Sequence, residues 1–251
     1  MQTVVYEKGE QVAWLRLNRP ERLNAINRQM SEEIMECLMD FKHDDHLRVL
    51  ILTGNGEKAF SAGIDLKESV HDGKNVFGKR GQMFKAVIET WKPVICAING
   101  TAVGAGMELA LACDVRIASK TSRFGLPEAK RGLGAAFGSV VLPKVISPYN
   151  ALYLLLTGEL IDAPRALEMG LVHEVTAPEQ LMHRAMEIAN NILLSAPLSV
   201  RRMKETVWKT MGVPLFQALE LNVGPDVYNS EDRLEGAKAF LEERPPVWKG
   251  R

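Results

Sequence analysis

The first apolar pattern along the chain has a period of two. Ala13, Leu15 and Leu17 alternate with Trp14 and Arg16, which predicts a strand with one buried face. The pattern then changes to helical spacing, which predicts an amphipathic helix. The apolar stripe of that helix consists of Met30, Ile34, Leu38 and Phe41.

Short apolar runs follow, and each predicts a buried strand. They cover Arg48–Thr53, Pro93–Ile98 and Val115–Ser119. Between them, the pattern predicts a loop over residues 54–65, a helix over 80–90 and a helix over Glu108–Cys113. This alternation of strands and helices predicts an α/β fold with right-handed crossovers.

The pattern becomes mainly helical after residue 140. Leu181, Ala185, Ile188 and Ile192 form one helical stripe. Pro197 suits the start of another helix, and Ser230 suits the N-cap of a last one. The sequence therefore predicts a helical C-terminal region.

Composition excludes some classes of protein. The chain has 251 residues, of which 46% are apolar and 25% charged, with a formal net charge of zero. A nucleic-acid-binding protein would carry a basic face, and a membrane span needs about 20 consecutive apolar residues. The sequence shows neither feature, so both classes are disfavoured. Three cysteines without a CxxC motif, and a start that lacks a signal peptide, indicate reduced thiols and a cytoplasmic location.

Three segments contain candidate chemistry. Phe60–Leu66 has Gly63 at a bend after a predicted strand, and Asn99–Glu108 leads from a strand through small residues into a helix that carries Glu108. Phe124–Gly132 places Glu128 directly after a proline. Taken singly, the first segment is better explained as a turn and the third as a solvated loop carboxylate, and the second is explained equally well as a surface glutamate.

The combination is more specific than any one segment. One carboxylate can activate water while a second delivers a proton, and backbone N–H groups at the two glycine-containing turns can hold an oxyanion. Such an arrangement is what the chemistry of a thioester enolate requires.

These motifs resemble the crotonase (enoyl-CoA hydratase/isomerase) superfamily nearly from end to end. The similarity covers LNRPERLNAIN, EKAFSAGIDLKE, INGTAVGAGMELALACD, FGLPEAKRGLG and RPPVWKGR. The resemblance implies a crotonase-type spiral of ββα turns, with the site in residues 1–195 and a helical trimerisation region in 196–251. It also implies a homotrimer or homohexamer that acts on an acyl-CoA thioester without a metal or further cofactor.

The resemblance also implies roles for individual residues. Glu108 and Glu128 match the two catalytic glutamates, and the N–H groups of Ile64 and Ala105 match the oxyanion hole. Residues that match the CoA or substrate site are Leu23, Ala25, Ala62, Gly63, Asp65, Leu66, Gly104 and Phe240. With both glutamates present, enoyl-CoA hydration is the expected reaction. Enoyl-CoA isomerisation, a carnitinyl-CoA dehydratase-like reaction and a non-catalytic RNA-binding or scaffold role stay open as alternatives.

Some positions depart from the family pattern. Glu21 and Glu243 stand where hydratases often have lysines that face the CoA phosphates, so Arg22, Lys67 or Arg244 are alternative contacts. The stretch 66–85 is expected to shape the acyl pocket.

Two further motifs predict no site. Gly132–Gly138 has the spacing GxGxxxG and follows no strand, which argues against a dinucleotide site. His43–His46 lacks a further ligand for a metal.

Overall fold

The computed structural model describes residues 1–67 and 76–251. Ten strands lie in these ranges: β1 (Val4–Lys8), β2 (Val12–Leu17), β3 (Val49–Gly54), β4 (Ala59–Ser61), β5 (Val94–Ile98), β6 (Thr101–Val103), β7 (Val115–Ser119), β8 (Arg123–Gly125), β9 (Ile161–Asp162) and β10 (Glu174–Thr176). Six form one sheet in the order β1-β2-β3-β5-β7-β10, and four form a second sheet in the order β4-β6-β8-β9. Both sheets are mainly parallel, with β1–β2 and β8–β9 as the antiparallel pairs.

Ten α-helices lie in the same ranges. They are α1 (Arg28–His43), α2 (Val76–Ile88), α3 (Ala105–Leu111), α4 (Ala136–Val145), α5 (Pro148–Thr157), α6 (Ala163–Glu168), α7 (Leu181–Leu193), α8 (Pro197–Thr210), α9 (Leu215–Leu219) and α10 (Glu231–Leu241). Short 3-10 turns cover Pro20–Arg22, Pro127–Arg131 and Pro178–Gln180.

The chain repeats one unit three times. A long strand of the first sheet leads into a short strand of the second sheet and then into a helix: β3-β4-α2, β5-β6-α3 and β7-β8-α4. This is the spiral of ββα turns that the resemblance implies. Because the short strands pair side by side, the turns that follow them are brought together at one edge.

The predicted strand and helix patterns at the N-terminus are confirmed. In β2, Ala13, Leu15 and Leu17 are buried while Trp14 and Arg16 are partly exposed. The predicted stripe of α1 is fully buried, and the Asn27 side chain caps that helix by accepting a hydrogen bond from the Met30 N–H group.

The first sheet is covered on both faces. One face packs into the main core, and the other packs against α7, whose residues Leu181, Ala185 and Ala189 contact Ile51 and Ile95 in a second apolar cluster. Packing on both faces explains why β3 and β5 are buried throughout and consist mainly of apolar residues. Ser230 caps α10, as predicted.

Three predicted boundaries were wrong. The predicted loop over 54–65 contains β4, and the predicted helix over 80–90 is α2, which spans Val76–Ile88. The helix predicted over Glu108–Cys113 begins three residues earlier, at Ala105. It begins there because the preceding Gly104, with φ +55° and ψ −131°, has a non-helical backbone, which residue patterns do not report. The 66–85 stretch falls partly outside the described residues.

Candidate active site

The first turn of the site follows β4 and contains Gly63. This residue has φ +87°, which side chains rarely allow, and a Cβ atom placed on it would lie 2.8 Å from the Val103 carbonyl oxygen. Ile26 holds the turn in place, because its N–H group donates to the Gly63 carbonyl at 2.7 Å and its carbonyl accepts from the Asp65 N–H group at 3.0 Å.

The second turn joins β6 to α3 at Gly104. This residue has φ +55° and ψ −131°, and its N–H group donates to the Gly125 carbonyl at 3.0 Å. Two residues on, a Cβ atom added to Gly106 would lie 2.7 Å from the Ser61 Cβ atom. The start of α3 therefore packs directly on the end of β4, and the two turns are adjacent.

Each turn presents one backbone N–H group without an acceptor. Within the described residues, neither the Ile64 nor the Ala105 N–H group donates a hydrogen bond to the protein. Ala105 is the first residue of α3, so its N–H group has no acceptor within the helix. A Cβ atom on Gly63 would lie 3.3 Å from the Ala105 amide nitrogen, which places the two turns within contact distance. The pair is suited to bind one oxygen that carries negative charge.

Glu108 lies in the first turn of α3 and is 6% exposed. The N–H group of Gly138, near the start of α4, donates to its Oε1 atom at 2.7 Å. Burial raises the pKa of Glu108 to about 7; the Gly138 hydrogen bond opposes this shift and the nearby charge of Glu128 adds to it. Glu108 can therefore gain or lose a proton near neutral pH.

Glu128 lies on the 3-10 turn after Pro127, which ends at Gly132 in the left-handed conformation. A Cβ atom on Gly104 would lie 3.3 Å from its Oε1 atom, so the carboxylate is directed at the second turn. Its Oε2 atom is buried without a hydrogen-bond partner among the described residues. Burial raises the pKa of Glu128 above its usual value.

These groups can support acid–base chemistry. Buried Glu108 and half-buried Glu128 both have raised pKa values, and two nearby carboxylates titrate as a pair, so one can be ionised while the other is protonated. They lie beside two unpaired backbone donors that could stabilise an enolate oxygen.

Known proteins resemble this chain over nearly its whole length. The Enoyl-CoA hydratase/isomerase family model matches residues 7–251. The chain belongs to this family, in the crotonase superfamily. It is 39% identical to the (E)-benzylidenesuccinyl-CoA hydratase of Thauera aromatica, over 98% of this chain and 99% of that protein. It is 41% identical to the carnitinyl-CoA dehydratase of Escherichia coli K12, over 94% of each. The crystal structure of an enoyl-CoA hydratase from Bacillus anthracis aligns with a TM-score of 0.92, 36% identity and full coverage of both chains.

The crotonase motif LNAIN supplies a loop beside the first turn. Leu23 has φ +52° and is 43% exposed, and its carbonyl accepts from the Ala62 N–H group at 2.9 Å. Asn24 is fully buried and its amide donates to the carbonyls of Asn55 and Ala59. Leu23 and Ala62 thus lie together. Ala25 is linked to them by a hydrogen bond from Arg19.

Arg19 links this loop to the first turn. Its guanidinium donates to the Ala25 carbonyl at 2.6 Å and forms a 3.1 Å ion pair with Asp65. The structure therefore brings Ala25 and Asp65 to the same place. Sequence reasoning missed Arg19 and Asn24, because polar residues around a proline have no signature that separates a buried link from a turn. Leu66, which follows Asp65, is 42% exposed.

Two expected contacts lie apart from this cluster. Phe240 is 83% exposed on α10, and the single chain does not place it against the other candidate residues. Arg244, an alternative contact for CoA phosphates, is held by ion pairs to Glu235 and Glu242, both at 2.7 Å. Arg22 and Lys67 are exposed and make no ion pair within the described residues.

Sequence reasoning also gave no role to Gly138. The glycine-rich stretch that ends at this residue was compared with a dinucleotide fingerprint and with the family pattern, but neither comparison predicted that the Gly138 N–H group binds Glu108. The available signal was a small residue near a helix start, where backbone donors are free. In the ranges 1–67 and 76–251, no cluster of three metal-ligating side chains is present, and no helix there has the length and hydropathy to cross a membrane.

Proposed function

We propose that this protein is an enoyl-CoA hydratase that adds water reversibly, in the syn sense, to the 2,3-double bond of an enoyl-CoA. The observation that carries the proposal is the position of two carboxylates with raised pKa values, buried Glu108 and half-buried Glu128, beside the free N–H groups of Ile64 and Ala105. An isomerase would need one proton-shuttling carboxylate, whereas hydration uses a base for water and an acid for carbon.

The proposed roles follow from position. Glu108, ionised and oriented by the Gly138 N–H group, removes a proton from water as the oxygen attacks C3 of the substrate. The thioester oxygen gains negative charge and is held by the Ile64 and Ala105 N–H groups. Protonated Glu128 then delivers its proton to C2. The reaction is balanced, because water supplies the hydroxyl group and the pair of glutamates ends with one proton, as it began.

No metal or redox cofactor enters this mechanism. Coenzyme A is part of the substrate, and Leu23, Ala25, Ala62, Gly63, Asp65, Leu66, Gly104 and Phe240 are proposed to contact it or the acyl group. The exposed position of Phe240 is consistent with a contact made across a subunit boundary in a homotrimer or homohexamer. Light scattering would test that assembly.

The relatives support addition or removal of water over isomerisation. One is named a hydratase and another a dehydratase, and these names describe the same type of reaction in opposite directions. The acyl groups in their names differ, so the acyl group of this substrate is best found by assay. A carnitinyl-CoA dehydratase-like activity is the second candidate, supported by 41% identity over 94% of each chain.

The test follows loss of the enoyl thioester absorbance with a short, a medium and a carnitine-type enoyl-CoA. Glu108→Gln and Glu128→Gln should each reduce turnover at least a hundredfold, since each removes an acid–base group. Glu179→Gln is the matched control, because that glutamate is exposed on the 3-10 turn before α7 and makes no ion pair within the described residues.

The other outcomes point elsewhere. Double-bond migration that depends on only one of the two glutamates would identify an isomerase. Salt-dependent RNA binding without turnover of any enoyl-CoA would favour the non-catalytic alternative.

A further inference from the structure

A cavity of about 510 Å³ lies at the amino ends of three parallel strands of the first sheet. Gln11, Arg48 and Pro93 line it, and each directly precedes a strand: β2, β3 or β5. Those strands are parallel. The two turns of the candidate active site instead lie beyond the carboxyl ends of β3 and β5, so the cavity is separate from that site.

The wall of this cavity is mainly cationic. Its acidic side chains are Glu10 and Asp45, and its lysines and arginines are Arg48, Lys92, Arg201, Lys249 and Arg251, with His46 beside them. Lys249 and Arg251 both form ion pairs with Glu231, at 2.9 and 3.1 Å. Arg48, Lys92 and Arg201 form no ion pair within the described residues.

The two arginines have unused hydrogen-bonding capacity. Arg201 donates no side-chain hydrogen bond to the described residues, and Arg48 donates only to the Ser195 carbonyl. The Nε atom of each is buried without an acceptor. A guanidinium group has five N–H donors, and a buried donor without an acceptor is unfavourable, so such groups in a native protein call for a bound water or ion.

Lys92 adds a charge that is almost entirely buried, with 5% exposure. Its Nζ atom donates to the carbonyls of Phe41 and Asp44, at 2.9 and 2.8 Å. Burial lowers its pKa and the neighbouring charge of Arg201 lowers it further, against the opposing effect of Asp45, Asp44 and Asp40. Lys92 and Arg201 therefore repel each other, and a bound anion would relieve that repulsion.

The remaining wall of the cavity is partly apolar and suits the organic part of a small anionic molecule. Ile192, Leu198 and Trp248 supply apolar surface. The cavity volume falls within the range of sites that bind small molecules, about 300–1,000 Å³.

We propose that this cavity binds a small phosphate ester, with the phosphate group held by Arg48, Lys92 and Arg201. Three cationic side chains from three separate segments suit a tetrahedral dianion with three terminal oxygens better than a planar carboxylate. The site is independent of the proposed hydratase reaction.

Calorimetric titration of the full chain with glycerol 3-phosphate tests the proposal. Binding should weaken at least tenfold in Arg201→Gln and at elevated salt, whereas the charge-preserving Arg201→Lys should retain most of it. Arg22→Gln is the matched control: that exposed arginine is an alternative contact for CoA phosphates and lies outside the cavity. Thermal melting of each variant excludes unfolding as the cause of a loss.

Three results would overturn the proposal. They are no binding to the unsubstituted protein at millimolar concentration, equal affinity for glycerate, and loss of binding in Arg22→Gln but not in Arg201→Gln. The last result would place the ligand at the CoA site. None of these measurements depends on turnover of an enoyl-CoA, so failure here is distinguishable from failure of the proposed reaction.

Discussion

The N–H group of Gly138 donates a 2.7 Å hydrogen bond to Oε1 of Glu108. A Cβ atom on Gly138 would lie 2.8 Å from Leu126 Cδ1 and 3.3 Å from that same oxygen. Gly138→Ala should therefore displace the Glu108 carboxylate or Leu126. We expect enoyl-CoA turnover to fall by about tenfold to a hundredfold, since misplacement by about 1 Å can have such an effect. Steady-state kinetics would measure it.

Gly134→Ala provides the control for this substitution. Gly134 lies in the same segment, and a Cβ atom added to it would meet nothing within 4 Å. Turnover should stay within about twofold of the unsubstituted protein, in keeping with the small effect of an uncrowded substitution. Equal losses in both variants would contradict a specific role for the Gly138 hydrogen bond.

The raised pKa of Glu108 should make stability depend on pH. Its pKa is about 7 in the folded protein and 4.5 for the free side chain. The folded state thus binds more protons than the unfolded state between these values, so the free energy of unfolding falls as pH rises through this window. Glu108→Gln removes the titrating group. At pH 8 it should raise the free energy of unfolding by up to about 3 kcal/mol, and at pH 4 it should change little. Urea titrations at both pH values would measure these free energies. A Glu108→Gln variant that is less stable than the unsubstituted protein at pH 8 would contradict the prediction.

The pH dependence of activity should report the same pair. If Glu108 must be ionised to accept a proton from water, kcat/KM should decline as pH falls below about 7, the pKa of this group. Because Glu108 and Glu128 interact, the apparent pKa of this decline in kcat/KM describes the pair and not Glu108 alone. A pH–rate profile would measure it, and a profile that stays flat down to pH 5 would count against Glu108 as the base.

Glu33 should show the opposite dependence. Burial alone would raise its pKa, but the N–H groups of Gln2 and Thr3 and the Thr3 hydroxyl lower it to about 2. The resulting stability is present above pH 4.5 and is lost as pH falls towards 2. Glu33→Gln should therefore lower the free energy of unfolding at pH 7 by up to about 3 kcal/mol. Denaturant titration would measure this.

The control for Glu33 is its neighbour Glu32, whose ion pair with Arg28 is exposed. Glu32→Gln should change the free energy of unfolding by no more than about 0.5 kcal/mol, as is usual for exposed pairs. If both substitutions have the same small effect, the contacts of Glu33 with the N-terminal strand contribute little.

Side-chain periodicity predicted the parts of this fold that one buried face defines. The strand with Ala13 and the helix with Met30 were predicted from spacing alone, because their patterns result directly from burial. The short strands β4 and β6 were missed, since three-residue strands are too short for a period to emerge. Their pairing is nonetheless what brings the two glycine turns together.

In the candidate site, too, some residues were predicted from the sequence and others were found only in the structure. Motifs selected Glu108 and Glu128, and the structure places both beside the second turn. The link from Arg19 to Asp65 spans 46 positions and depends on how distant segments approach in space. A single sequence contains no local pattern for such a link. The cationic cavity was missed for the same reason, because its three unpaired basic residues come from separate segments.

The proposed oxyanion donors belong to the backbone, and this changes which positions evolution can alter. Ile64 and Ala105 would each contribute an amide that every residue except proline possesses, so the donor itself requires no particular side chain at either position. The restrictions fall on neighbouring positions: Gly63 with its φ of +87°, Gly104 with its φ of +55°, and Gly106 against Ser61. In this fold, selection for the oxyanion hole would therefore act on the sequence mainly through the glycines that surround the donors.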